Sequence, residues 1–169
     1  MPIVKRLFLL RHAKSSWDEP GLADHERPLA ARGRKASKLI AAHLRAEGIA
    51  PELVLCSPSK RTRQTLQRLE LDSGKVRFED DVYAASAGEL LAVLNDVGDD
   101  VGSAMLIGHN PGIQDLALQL AGSGPELAAV RSKFPTAALA TLAFDRSWRE
   151  LAPGEADLVA FTKPKQLAG

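Results

Sequence analysis

Leu10 runs into Arg11-His12-Ala13-Lys14, Cys56 runs into Ser57-Pro58-Ser59-Lys60-Arg61, and Ile107 runs into Gly108-His109-Asn110-Pro111-Gly112. Each of these polar clusters follows directly on a short apolar run. A guanidinium presents a planar fork of donors that grips the oxygens of a tetrahedral anion in pairs. A neutral imidazole is a nucleophile, and a protonated one stabilises charge. Arg11, His12, Arg61 and His109 are therefore the side-chain types of a phosphate cage, provided the chain brings them together. Taken one at a time they have ordinary readings. Arg11 and His12 fit the surface end of a strand, Arg61 a solvated basic helix face with Lys60 and Arg63, and His109 a turn. The weight lies in their joint placement.

The elements that must do the placing alternate between short apolar runs and longer stretches of helical period, the pattern of an α/β domain. Ile3 to Leu10 reads as a buried strand, Leu53 to Cys56 as a second, Lys75 to Glu79 as a third and Ser103 to Ile107 as a fourth. Helices are predicted over Arg32 to Glu47, ended by Gly48, and over Pro58 to Leu69, Ser86 to Val97 and Pro111 to Ala121, the last stopped by Gly122. Ile113, Leu116, Ala117 and Leu120 fall on one helical face. Ser86 and Glu89 have the spacing of a capping box. Ala138 to Phe144 and Leu158 to Thr162, with no helix between them, read as an antiparallel addition to a mainly parallel sheet. In such a sheet ligands bind beyond the carboxyl ends of the strands, where all three clusters lie. Ser57 with Pro58, and Asn110 with Pro111, read as N-cap and first helical residue, placing helix N-termini at the same crevice. Arg61, in the first turn, should lean back toward it. The stretch Ala13 to Ala30 is far longer than the about 2–6 residues usual between strand and helix. It brings Lys14, Ser15, Ser16, Trp17 and Asp18 within reach of a ligand, although Trp17 also suits a residue folded back for packing.

Composition narrows the partners. The chain of 169 residues, 45% hydrophobic and 25% charged, is expected to form a single domain over 1–169. A net charge of +1 with 5% aromatics gives no case for nucleic acid. No apolar run is long enough for a membrane span, and a lone cysteine, Cys56, fits a reducing compartment, so a cytoplasmic location is expected. Lys60, Arg61 and Arg63, with Arg32, Arg34 and Lys35, form either a solvated face or a rim that steers a phosphorylated partner. Four residues separate Cys56 from Arg61, one short of a cysteine-phosphatase loop, and Cys56 reads as a buried strand residue. There is no P-loop, and Gly122-Ser123-Gly124 reads as a turn. His12, His25, His43 and His109 lack metal-ligand spacings.

Four segments together resemble the histidine phosphatase superfamily, and within it the SixA-like phosphohistidine phosphatase branch. They are Leu9-Leu10-Arg11-His12-Ala13-Lys14-Ser15, Asp24-His25-Glu26-Arg27-Pro28-Leu29-Ala30-Ala31-Arg32-Gly33, Ser57-Pro58-Ser59-Lys60-Arg61-Thr62, and Ile107-Gly108-His109-Asn110-Pro111-Gly112. The resemblance runs through nearly the whole chain in order. It implies a three-layer α/β/α sandwich of the phosphoglycerate mutase-like kind, with no metal and no cofactor. It also implies that His12 accepts a phosphoryl group in a pocket completed by Arg11, Arg61 and His109. Lys14, Ser15, Trp17 and Asn110 are the expected substrate contacts.

The chain departs from the superfamily in one place. Many members that act on phosphate esters carry a glutamate beyond the third strand, near the position of Tyr83-Ala84-Ala85-Ser86, where this chain has no carboxylate. Glu89 is the nearest candidate general acid, although its place in the capping box favours a structural role; Asp80 and Asp81 are weaker candidates. An alkoxide leaving group needs such an acid, whereas an imidazole can collect its proton from solvent. The expected activity is therefore removal of phosphate from phosphohistidine in a protein, by a monomer. A small-molecule phosphomonoesterase or mutase on the same scaffold, and a phospholigand-binding module that never turns over, are the alternatives. The protonation state of His109 is open: an imidazolium would be more useful, and the neighbouring guanidiniums oppose it.

Overall fold

The structure is a computed structural model that describes residues 4–72 and 74–168. Ile3, the first residue of the expected opening strand, lies outside the described residues. The strands are β1 (Lys5–Arg11), β2 (Leu53–Cys56), β3 (Lys75–Phe78), β4 (Ser103–Gly108), β5 (Ala121–Ser123), β6 (Leu139–Phe144) and β7 (Ala156–Thr162). The helices are α1 (Ala31–Ala46), α2 (Lys60–Leu69), α3 (Ala87–Asn95), α4 (Gly112–Leu120), α5 (Leu127–Ser132) and α6 (Pro164–Leu167). The strands form one seven-stranded sheet in the order β3-β2-β4-β1-β6-β7-β5. β3, β2, β4 and β1 run parallel, and β6 is antiparallel to both β1 and β7.

Central strands covered on both faces should be apolar at every position, and β1 shows why. Leu7 and Leu9 pack with Leu55, Leu106, Leu94 and Leu116 on one side of the sheet. Phe8 and Leu10 pack with Val54, Met105, Ile40 and Leu44 on the other. These two clusters are the cores between the layers: α3 and α4 cover the first face, and α1 and α2 the second. The first face is closed at its far end by Trp148, fully buried, whose Nε1–H donates to the Val101 carbonyl at 2.7 Å. Edge strand β3 is exposed at every position. Among the described residues no helix is long and apolar enough to cross a membrane.

Several expected boundaries shift, each for a local reason. α2 begins at Lys60 with Ser59, not Ser57, as N-cap, because Ser59 Oγ accepts from Thr62 N–H. Ser57 is thereby released for another contact. Pro111, rather than Asn110, occupies the N-cap position of α4; Asn110 instead accepts the Gln114 N–H on its Oδ1. Gly122 does not stop a helix at a turn. It sits in β5, which pairs with β7, and a Cβ there would meet the Gly154 carbonyl oxygen at 2.5 Å. α5 and α6, six and four residues long, carry too few turns to show a period in sequence.

The long connection from Ala13 to Ala30 is held rather than loose. Ser15 bridges to Leu29, Ser16 N–H donates to the Pro28 carbonyl, and Asp24–Glu26 form a turn of 3-10 helix. The Lys14 carbonyl accepts from Ala30 N–H and lies so close to Gly33 that a Cβ there would sit 2.1 Å from its oxygen. Gly33 is thus the contact that lets α1 seat against the segment following His12. Gly33→Ala is expected to lower unfolding free energy by about 1–3 kcal/mol, as overpacking does, measured by chemical denaturation against the parent protein.

Candidate active site

Strand order and register do most of the assembly. β4 lies between β2 and β1, with Arg11 paired to Gly108 and Cys56 to Ile107. The chain therefore leaves the three strands at one level, and His12, Ser57 and His109 emerge side by side. The His12 and His109 ring centroids are 5.2 Å apart. Arg61 comes back from the second residue of α2 to place Nη2 3.2 Å from His109 Nδ1. A hydroxyl clamp fixes the start of that helix: Thr62 Oγ1–H donates to the Ser57 carbonyl at 2.7 Å. Thr65 Oγ1–H donates to the Arg61 carbonyl at 2.7 Å and accepts from Ala13 N–H at 3.1 Å. The end of β1 and the first turn of α2 are thereby tied together.

The hydrogen bonds assign the tautomers. His12 Nδ1 is 2.7 Å from the Ala13 carbonyl, which only accepts, so Nδ1 carries the proton and Nε2 keeps its lone pair. His109 is the opposite tautomer. Its Nδ1 accepts from Arg61 Nη2, and its Nε2–H donates to Ser57 Oγ at 2.8 Å. Both rings are neutral at pH 7. Burial, with the Arg61 and Arg11 charges adding to it, pushes His12 down to about 4. Burial first, then His12 and Arg61, pushes His109 down to about 3. In the free protein the neutral form of His109 is therefore the one that fits its surroundings: an imidazolium would turn an N–H toward the Arg61 guanidinium.

Arg11 donates from Nη1 to the Phe134 carbonyl at 2.9 Å, while its Nε is buried without a partner. Burial and the Arg61 charge hold its pKa below the ordinary guanidinium range. Two arginines, an orphaned donor and two neutral imidazoles make a site short of negative charge, which is the condition for binding an anion.

The remaining expected residues divide. Asn110 Nδ2 donates to the same Phe134 carbonyl as Arg11, at 3.1 Å, which puts it on the rim of the cage. Ser15 is buried with Oγ accepting from Arg27 Nη2 at 2.7 Å, and the exposed Trp17 ring lies 3.2 Å beneath the Arg27 guanidinium. These two contact Arg27 rather than the imidazoles. Lys14 is exposed. Glu89 is held in the capping box: its Oε1 accepts from Ser86 N–H at 3.0 Å and its N–H donates to Ser86 Oγ at 3.2 Å. Its carboxyl is drawn below the usual range by the same bonds. Asp80 and Asp81, in a 3-10 turn, are exposed.

The carboxylate that does reach the cage is Asp24. Its Oδ2 accepts from Arg61 Nη2 at 2.9 Å and from the Tyr83 hydroxyl at 2.6 Å, and Oδ1 accepts from Arg27 Nη1 at 3.3 Å. The Asp24 backbone carbonyl takes Arg61 Nη1 at 2.7 Å. The Tyr83 bond, followed by Arg61 and Arg27, holds the Asp24 carboxyl at about 2. Asp24 and Arg27 stand in the Asp24–Gly33 motif with no role legible from the sequence, and nothing there marks Tyr83 or the Ser57 hydroxyl as part of the site. Asp24 is one of four acidic residues in that long aperiodic loop, beside Asp18, Glu19 and Glu26, and nothing in the sequence sets it apart from them. Among the described residues no group of three or more His, Cys, Asp or Glu side chains is disposed to hold a metal ion.

A parallel-ended sheet with this cage defines a class of phosphoryl-handling protein, and comparison with known proteins gives the class its name. The model of the histidine phosphatase superfamily (branch 1) matches residues 7–89. The chain is 39% identical over 160 residues to the uncharacterized protein Rv1276c of Mycobacterium tuberculosis, covering 92% of this chain and all of that one. It is 29% identical over 148 residues to the phosphohistidine phosphatase SixA of Escherichia coli, covering 84% and 87% of the two chains. The solved structure of a putative phosphohistidine phosphatase SixA from Nakamurella multipartita superposes with a TM-score of 0.86 at 29% identity, covering 95% of this chain and 96% of that one. The chain belongs to the histidine phosphatase superfamily, in its SixA-like branch, and has the phosphoglycerate mutase-like three-layer fold of that family.

The imidazole assignments have a measurable consequence. In an NMR titration His12 should titrate with a midpoint near 4 and keep its proton on Nδ1 through the neutral range; a midpoint near 6.5 contradicts the geometry. Asp24 raises the His12 value, so Asp24→Asn should move the midpoint lower. Both histidines bind protons more readily when unfolded, so the stability they contribute is full above about pH 6.5 and is lost as pH falls through about 4 for His12 and about 3 for His109.

Proposed function

We propose that the protein is a metal-independent phosphatase that removes phosphate from phosphohistidine in a protein, with His12 as the phosphoryl acceptor. The observation that carries this reading is the free Nε2 of His12, fixed by the Nδ1–H bond to the Ala13 carbonyl and set among Arg11, Arg61 and His109. Nε2 attacks the phosphorus in line while the bond to the leaving nitrogen breaks, and the phosphoryl group passes to His12. Water then attacks the phosphohistidine, releasing phosphate and restoring the imidazole. The unpartnered Arg11 Nε and the Arg61 guanidinium hold the non-bridging oxygens. His109, oriented by Ser57 and Arg61, lines the other side. Positioning and charge stabilisation of this kind supply most of the catalysis in phosphoryl transfer.

The proton balance favours the nitrogen leaving group. Glu89 is engaged in capping α3, and Asp24 is held ionised by Tyr83 and Arg61, so neither carboxyl is a ready donor at neutral pH. A departing imidazole is protonated by solvent, whereas an alkoxide requires an acid within the site. Similarity to SixA of E. coli, named a phosphohistidine phosphatase, supports the same substrate class.

The test offers the purified protein a histidine-phosphorylated carrier protein, phosphoserine and a small phosphate ester in parallel. The expected result is fastest turnover of the phosphohistidine protein, with an acid-labile phosphoenzyme trapped on His12. His12→Ala should lose roughly 10³-fold or more in rate, as removal of other catalytic nucleophiles does. Faster turnover of the ester overturns the substrate assignment, and a phosphoenzyme that persists in His12→Ala overturns the role of His12.

A further inference from the structure

A broad groove of about 940 Å³ runs between α1, α6 and the chain preceding β6, with Lys14, two residues past His12, in its lining. Its rim carries Lys14, Arg32, Lys35, Lys133, Lys163 and Lys165, and no acidic side chain lines it. None of these six cations takes part in an ion pair among the described residues. The whole chain carries a net charge of only +1, so gathering six positive charges here leaves the remainder net acidic. The groove is a local field, not a sample of a basic surface.

Short stretches of chain link the groove lining to the site. Lys14 lies two residues beyond His12, and Lys133 immediately precedes Phe134, whose carbonyl holds both Arg11 and Asn110. Ala137, just past the groove residue Thr136, donates its N–H to the Arg11 and His12 carbonyls at 3.0 Å each. On α1, Arg32, Lys35, Ala36 and Leu39 follow helical spacing, and the last two form an aliphatic floor with Pro135 and Pro164.

We propose that this groove docks an acidic segment of the phosphorylated protein substrate, holding its phosphoryl group at His12; the assignment rests on the substrate class given above. Charge complementarity selects the occupant. A single phosphate would be gripped by a compact arginine fork, whereas five of these six cations are lysines spread over separate elements. Single-stranded nucleic acid is bound by aromatic platforms, and no aromatic side chain lines the groove. An aliphatic floor between cationic walls suits a peptide of mixed acidic and apolar residues. The volume is at the upper end of the roughly 300–1,000 Å³ of small-molecule sites, room for several side chains.

Two measurements test this. First, the double variant Lys35→Glu/Lys165→Glu is expected to raise KM for the histidine-phosphorylated carrier protein about 10-fold at low salt, within the range of electrostatic steering. Its kcat, and its turnover of the small ester, should stay at the parent values. An unchanged KM, or an equal loss on both substrates, overturns the proposal. Second, an unphosphorylated peptide of alternating glutamate and leucine is titrated into the parent protein and into His12→Ala, with backbone amide shifts followed by NMR. Shifts confined to α1, residues 133–136 and α6 in both proteins, and abolished at high salt, support docking. Shifts elsewhere, or equal displacement of the peptide by tripolyphosphate or by DNA, overturn it. The peptide measurement needs no turnover, so failure of the groove and failure of the phosphohistidine reading give different results.

Discussion

Parallel pairing of β4 with both β1 and β2 is the constraint on which the site depends. A strand carries no information about where its successor begins, but register does. With Arg11 opposite Gly108 and Cys56 opposite Ile107, the polar residues that follow must emerge together. The sheet's interior makes this register costly to change, because Leu7 and Leu9 belong to one buried face and Phe8 and Leu10 to the other. A slip of one residue would exchange the two sets and carry His12 away from His109.

What the sheet brings together, electrostatics must then tolerate. Arg11 and Arg61 crowd two imidazoles in a largely dry pocket, and the result is that the imidazoles give up their charge. Neutral His12 is thus a product of its surroundings, with its tautomer selected by a single backbone carbonyl. Asp24 offsets part of the positive potential from the rim while remaining half exposed, and it orients Arg61 through both a carboxylate and a backbone oxygen. The ion pair at the surface therefore acts chiefly through geometry, since exposed pairs contribute little to stability.

Much of this was legible in the sequence because it depends on short-range rules. Apolar runs marked the central strands, Ser86 and Glu89 marked the start of α3, and the three polar clusters fell at strand ends. What failed to show were contacts that depend on tertiary neighbours. Ser57 reads as a helix cap until Ser59 is seen to take that place, which frees the Ser57 hydroxyl for His109. Gly122 reads as a stop until β7 arrives to pair with β5. Asp24 and Tyr83 are separated by 59 residues, and only the folded loop brings them to 2.6 Å. Trp17, expected at the ligand, instead lies with its ring against the Arg27 guanidinium, a cation–π contact made across ten residues of loop that no local rule specifies.

Cys56 ends β2 one residue before the cage, fully enclosed, and burial drives its thiol up to about 12. At cellular pH the sulfur therefore stays protonated and out of reach of peroxide or alkylating agents, which attack the thiolate. The four side chains of the cage, Arg11, His12, Arg61 and His109, bear nitrogen alone. Reagents that act on sulfur therefore find no target among the cage side chains themselves.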